Sequence, residues 1–256
     1  EKVVPDQLES AVSEYAHESD LFVIAHGGEY VDALQPIALM YPQIKFAVVG
    51  RYPGNGRNYG SISTGNGFCY LAGVIAAMKS RSGHISAIFG KELTHLRAQY
   101  DAYVSGAKFI NNDIKVSAKY VGSWDDQPLA LKLAAELMDV NSDVMLVNLD
   151  YISPAVHRLA TERGIKTISI TTDERKDFPN TVLAALLTDF SKQMSAGIKL
   201  FLQGKWEGKL YRFGLSEGVT FVELQENVLD ENQRASYDRI FTNLIQKQIA
   251  LPELVE

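Results

Sequence analysis

Several apolar runs in this sequence end in residues equipped to handle a polar ligand. Leu21–Ala25 runs into His26-Gly27-Gly28-Glu29-Tyr30, Lys45–Val49 into Gly50-Arg51-Tyr52, and His84–Phe89 into Gly90-Lys91-Glu92. Ile114–Val121 is followed by Gly122-Ser123-Trp124-Asp125-Asp126, Asp143–Leu149 by Asp150-Tyr151, and Lys166–Ile170 by Thr171-Thr172-Asp173-Glu174. Carboxylates accept paired hydrogen bonds from vicinal hydroxyls, and aromatic faces stack on a planar ring or cover a sugar. Ligands of open α/β sheets sit beyond the carboxyl ends of the strands. The candidate binding residues are therefore His26, Gly27, Glu29 and Tyr30 after the first run, and Asn66 ahead of the helix that starts near Phe68. Gly90, Lys91, Trp124 and Asp126 follow in the middle of the chain, then Asp150, Tyr151, Thr171 and Asp173. This is chemistry for recognising a small, polar, partly planar molecule.

Each of these residues also has a plainer role. Strand-end acids often cap the next helix, so Asp125 or Asp126 suits the start of the helix near Pro128 as well as a ligand. Trp124 could pack between lobes, His26 could bond within its loop, and Lys91 and Arg51 could be solvated. Catalytic patterns are missing. There is no G-x-S-x-G, no G-x-x-x-x-G-K-[ST] and no H-E-x-x-H, and PGNGRNYG does not follow the dinucleotide fingerprint. The five histidines form no metal-ligand spacing with the single Cys69, so neither a metal nor another cofactor is expected, and the reading is not an enzyme. Cys69 lies in FCYLAGVIAAM and reads as a buried structural thiol.

The elements that position these residues alternate. Strands are expected at Leu21–Ala25, Lys45–Val49, Gly60–Thr64, His84–Phe89, Ile114–Val121, Asp143–Leu149, Lys166–Thr171 and Val182–Leu187, with two more within Leu210–Leu224. Helical spacing covers Tyr30–Met40, Phe68–Ser80, Leu93–Asn111, Leu129–Val140, Pro154–Arg163, Phe190–Leu202 and Asp230–Gln248. Gly164 and Gly204 stand just past two of these helices as stops. Strands alternating with helices imply parallel sheets covered on both faces, and there are too many strands for one small sheet. The 256 residues suit two lobes. A net charge of −6 argues against nucleic acid as a partner, and no apolar run is long enough to span a membrane.

In this order and spacing, YPQIKFAVVG, GNGFCYLAGVIAAMKSRSGHISAIFG, YVGSWDD and ISITTDE resemble the basic membrane protein family, the purine nucleoside receptor-type solute-binding proteins of ABC transporters. The helix Tyr70-Leu71-Ala72-Gly73 to Ala76-Ala77 and the element Tyr120–Asp126 carry most of the likeness, which extends over essentially the whole chain. The W-x-D form and the C-terminal helix are also similar to the Med-type regulators that share this fold. The resemblance implies an α/β, two-lobed type 1 periplasmic-binding-protein fold, with each lobe a parallel sheet flanked by helices and a ligand held in the inter-lobe cleft by hinge closure. Lobe 1 would comprise residues 1–83, lobe 2 residues 84–188, and residues 189–256 would return to lobe 1. The implied partners are a purine, nucleoside or sugar-like ligand and an ABC permease. The implied location is periplasmic or cell-surface, or cytoplasmic for a regulator. Membrane attachment would come only through a lipid anchor on a preceding segment.

Three departures stand out. The family pattern G-V-D-x-D-Q becomes Thr171, Asp173 and Glu174, its next lysine becomes Thr188, and its A-A-G-x-x-G loop becomes Asn148-Leu149-Asp150-Tyr151. A rebuilt pocket for a free base or another small metabolite is therefore expected, with Thr171 and Asp173 facing it. The family's first strand and helix would also precede Glu1, so the sheet of lobe 1 is expected to be completed by a preceding segment or by a neighbour.

Overall fold

The structure, a computed structural model, describes residues 3–18 and 20–252. It forms two compact units. Unit 1 contains the chain up to Gly65 together with Asp189–Phe213; unit 2 contains Asn66–Thr188 and the chain from Gly214.

In unit 1 a 3₁₀ turn at Pro5–Gln7 leads into α1 (Leu8–Tyr15), β1 (Phe22–His26), α2 (Val31–Met40), β2 (Lys45–Val49) and β3 (Tyr59–Thr64). Unit 2 carries α3 (Gly67–Lys79), β4 (His84–Phe89), α4 (Thr94–Ile110), β5 (Lys115–Tyr120), α5 (Gln127–Asp139), β6 (Val144–Asn148), α6 (Ser153–Glu162), β7 (Lys166–Ile170) and β8 (Val182–Thr188). The chain then gives unit 1 α7 (Phe190–Leu202) and β9 (Leu210–Phe213), and unit 2 β10 (Thr220–Leu224) and α8 (Glu231–Ile245).

The unit 1 sheet has the order β1-β2-β3-β9, with every pair parallel. Alternation along its strands sends Phe46, Val48 and Tyr59 to a core with Leu34 and Ile37 of α2. Ala47 and Ile62 join Phe22, Ile24 and Trp206 on the other face. Asn58, from the Gly/Pro/Asn-rich loop, is buried. Its amide donates to the carbonyls of Ala38 (2.9 Å), Tyr41 (3.2 Å) and Ile44 (2.9 Å), which holds the end of α2 against the sheet.

The unit 2 sheet has the order β10-β8-β7-β6-β4-β5, parallel except for β10 against β8. On one face Ile85, Ala87, Leu146 and Ile168 pack on α3, α4 and α8. On the other, Ile88, Met145 and Val147 pack on α5 and α6. A strand buried on both faces reads as a continuous apolar run, as VMLVN and HISAIF do.

Two boundaries differ from the sequence expectation. The division falls at Gly65–Asn66 and not near Gly83, because α3 is buried along Gly67–Ala76 by its neighbours in unit 2. The chain after Gly214 likewise belongs to unit 2 and does not return to lobe 1: β10 pairs with β8, and Tyr237 and Ile240 of α8 enter the α3 core. The two strands foreseen within Leu210–Leu224 exist, but they lie in different sheets.

Helices α3 and α4 approach at backbone contact through two glycines. A Cβ on Gly73 would lie 1.9 Å from the Tyr103 carbonyl oxygen, and one on Gly106 would lie 1.9 Å from that of Tyr70. Neither obstacle is a flexible side-chain end, so the helices must separate. Gly73→Ala or Gly106→Ala is expected to destabilise the protein by about 3 kcal/mol, at the upper end of typical overpacking costs, as read by urea denaturation. Cys69 sits beside this crossing, fully buried, and burial pushes its thiol well above the usual range. It should resist a disulfide-exchange reagent in the native protein and react once the protein is unfolded in urea.

Candidate functional site

The C-terminal edge of the unit 2 sheet collects most of the candidate residues. The parallel register sets Phe89 opposite both Asn148 and Tyr120, and Ile170 opposite Leu186. The segments that follow β5, β4, β6, β7 and β8 therefore emerge side by side, bringing Trp124, Gly90-Lys91, Asp150-Tyr151, Thr171 and Thr188 to one edge. Gly90 is buried, and Trp124 lies on it so closely that a Cβ would meet the indole at 2.2 Å. The indole is half-buried against the unit 2 core, so its packing role lies within this unit. Lys91 is exposed beside it.

Behind this edge the backbone is held by buried polar bonds. The Gly90 amide donates to the Asn148 carbonyl (3.0 Å), and the Asn148 side chain donates to Gln99 of α4 (3.0 Å). The Leu149 amide donates to Ser153 Oγ (3.2 Å). Such satisfied groups fix the strand ends, since a buried polar atom left unpaired would cost on the order of 1–3 kcal/mol.

Two strand-end residues adopt left-handed backbone conformations: Asp150 at φ 54° and Thr171 at φ 77°. Asp tolerates that region, but a β-branched residue there is a genuine outlier. Strain of this kind costs about 1–3 kcal/mol and persists only where surrounding structure imposes it, characteristically at ligand sites. Both residues are exposed, and Tyr151 is 69% exposed, so this edge presents a carboxylate, a hydroxyl and an aromatic ring.

Other candidates are committed elsewhere. Asp126 accepts from the Leu129 amide (3.0 Å) and caps α5. Asp173 accepts from Nε and Nη2 of Arg175 (2.8 Å each), and that guanidinium also donates to the Leu224 carbonyl of β10 (2.6 Å). Asn66 stands just before α3 without capping it through its side chain. Arg175 stands only two residues from Asp173, but its contact with β10 spans 49 residues of sequence, which no local pattern shows.

In unit 1 His26 is exposed at the end of β1, with its ring edge-on to Phe190 at 5.6 Å. Gly27 has φ 132°, and a Cβ there would meet the Glu29 carboxylate. The Tyr30 hydroxyl donates to the Val3 carbonyl (2.8 Å), which makes it a tether within this unit. Among the described residues no group of three or more His, Cys, Asp or Glu is placed to hold a metal ion. No described helix is long and apolar enough to cross a membrane.

These two sheets define an α/β protein of the type 1 periplasmic solute-binding fold. Its solved relatives include an ABC transporter solute-binding protein of Aeropyrum pernix K1 (TM-score 0.74, 18% identity, 98% of this chain and 83% of that one). A transcriptional activator of the comK gene from Bacillus halodurans also superposes (TM-score 0.81, 21% identity, 98% and 87%). At these identities the likeness speaks for the fold alone. The sequence model of the Bmp family, described as ABC transporter substrate-binding protein PnrA-like, matches residues 5–254, and the chain belongs to that family. The family is one of substrate-binding proteins of ABC transporters. Among curated relatives, the transcriptional activator protein Med of Bacillus subtilis is 24% identical over 229 residues, covering 89% of this chain and 71% of Med. A purine-binding protein of Brucella abortus is 25% identical over 227 residues, covering 87% of this chain and 63% of that protein.

The charge-assisted bonds from Arg175 hold the Asp173 carboxyl below its ordinary value of 3.8. A depressed carboxyl contributes stability that is fully present above its unfolded value and is lost as pH falls through the folded one. Carbon-13 NMR titration should therefore find Asp173 still ionised below pH 3.8, and Arg175→Gln should return its midpoint towards that value.

Proposed function

We propose that this protein is the extracytoplasmic binding component of an ABC transporter and takes a small polar ligand with a planar ring, of the purine or nucleoside class. The observation that carries this reading is the unit 2 strand edge. There Trp124 (its indole on Gly90), Lys91, Asp150 and Thr171 follow the ends of four neighbouring parallel strands. An aromatic face suits a heterocycle, and hydroxyl, carboxylate and ammonium groups suit its polar rim. His26 and Glu29 of unit 1 are further candidates for ligand contact. The likeness to a purine-binding protein supports the ligand class.

Because Arg175 occupies both oxygens of Asp173, that acid is better placed to shape the loop than to grip ribose hydroxyls. With Thr171 beside it, the pocket favours a free base or a ligand whose sugar is not held there. An ABC permease is the implied partner. A second reading, ligand sensing by a regulator not coupled to transport, is favoured by the resemblance to Med and to the comK activator.

Native mass spectrometry and calorimetry with adenine, inosine and ribose test the binding. One of the first two should bind, and Trp124→Ala should weaken it about tenfold or more, the scale of base–aromatic stacking. No heat with any of the three would overturn the ligand class. Deletion of the gene separates transport from sensing: loss of labelled ligand uptake supports the first, and an altered transcript response with normal uptake supports the second.

A further inference from the structure

We infer that a buried pair, His157 with Glu174, is the positioning device of the β7 strand end and holds Thr171 in its left-handed conformation. The inference deepens the binding reading and rests on it for the statement that this strand end meets ligand.

Glu174 is the single carboxylate-bearing residue in the buried class among the described residues, with its side chain 5% exposed. A buried carboxyl group is costly unless it finds a polar partner. That partner comes from α6. His157 Nε2 lies 2.7 Å from Glu174 Oε2, and the imidazole is fully buried. The N–H does not aim along the line of contact, so the two groups meet closely without a well-formed hydrogen bond. The other ring nitrogen, Nδ1, is 2.8 Å from Thr167 Oγ1 on β7, which fixes the ring between helix and strand. Phe178 lies against the imidazole at 5.5 Å and closes it off.

The pair therefore grips the segment three residues beyond Thr171. On its other side the same segment is held through Arg175, which joins Asp173 to the Leu224 carbonyl. Farther along, Thr181 meets Thr161 of α6 at 2.7 Å between hydroxyl oxygens, and the Phe178 amide returns to the Glu174 carbonyl at 3.0 Å. Held by α6 on one side and β10 on the other, the chain leaves Thr171 and Thr172 exposed at the sheet edge. Thr171 would relax out of φ 77° if one of these holds were released, since a strained backbone persists only where it is imposed.

The test is amide hydrogen exchange of the free protein, followed by calorimetry with adenine and inosine. His157→Leu strands the carboxylate and should speed exchange across residues 171–178 about tenfold or more, with strands β4 and β5 within about threefold of the parent. Glu174→Gln keeps the shape and a polar contact to the imidazole and should stay within about threefold of the parent. Glu174→Ala, which removes the carboxyl group and its contact with the imidazole altogether, should also loosen the segment and serves if His157→Leu does not fold. Whichever of adenine and inosine binds the parent should bind the loosened variants about tenfold more weakly and Glu174→Gln almost normally. Unchanged exchange at 171–178, or acceleration spread evenly over unit 2, would overturn the positioning role. A parent protein that binds neither compound would overturn the ligand reading instead, and the exchange pattern would still decide whether the pair sets the segment.

Discussion

Much of the larger unit depends on how closely α3 approaches α4. Glycines at 73 and 106 put the backbone of each helix against a carbonyl of the other, an approach no other residue pair permits. That proximity explains the composition of α3, which is buried along Gly67–Ala76 and accordingly apolar on nearly every side. The helix packs on α4, on α8 and on strands of the six-stranded sheet. Its apolar side chains contribute most of their transfer energy only when all of those surfaces are in place, which is why α8 and β10 must belong to the same unit.

The sheet that rests on this helix layer gathers its strand-end residues along its C-terminal edge. Parallel strands end on the same side, so loops distant in sequence become neighbours at strand spacing. Hydrogen bonds among Gly90, Asn148 and Gln99 stiffen the middle of that edge. The side chains displayed on it lie outside the packed layer beneath.

Charge near this edge is spent largely on architecture. Asp126 caps a helix, Asp173 holds an arginine, and Glu174 is buried against an imidazole. Asp150 instead faces solvent at this edge. Where a family pattern would set an acid, Thr171 offers a neutral hydroxyl in a strained backbone.

The sequence by itself determined the elements and the class. Strand and helix periodicities are local properties of the chain, so β2, β4 and α7 appear at the residues their patterns predict, and the other expected elements within a few residues of theirs, while α1 was not among those expected. The strand-end candidates were legible for the same reason, because polar residues interrupt buried runs where strands stop. What only the tertiary structure decided was partnership. The unit to which α3 and the segment after Gly214 belong, the capture of the Arg175 guanidinium by β10, and the meeting of His157 with Glu174 all join residues through strand order and helix packing. No local pattern encodes these contacts, since they form only when segments far apart in the chain are brought together and shielded from water.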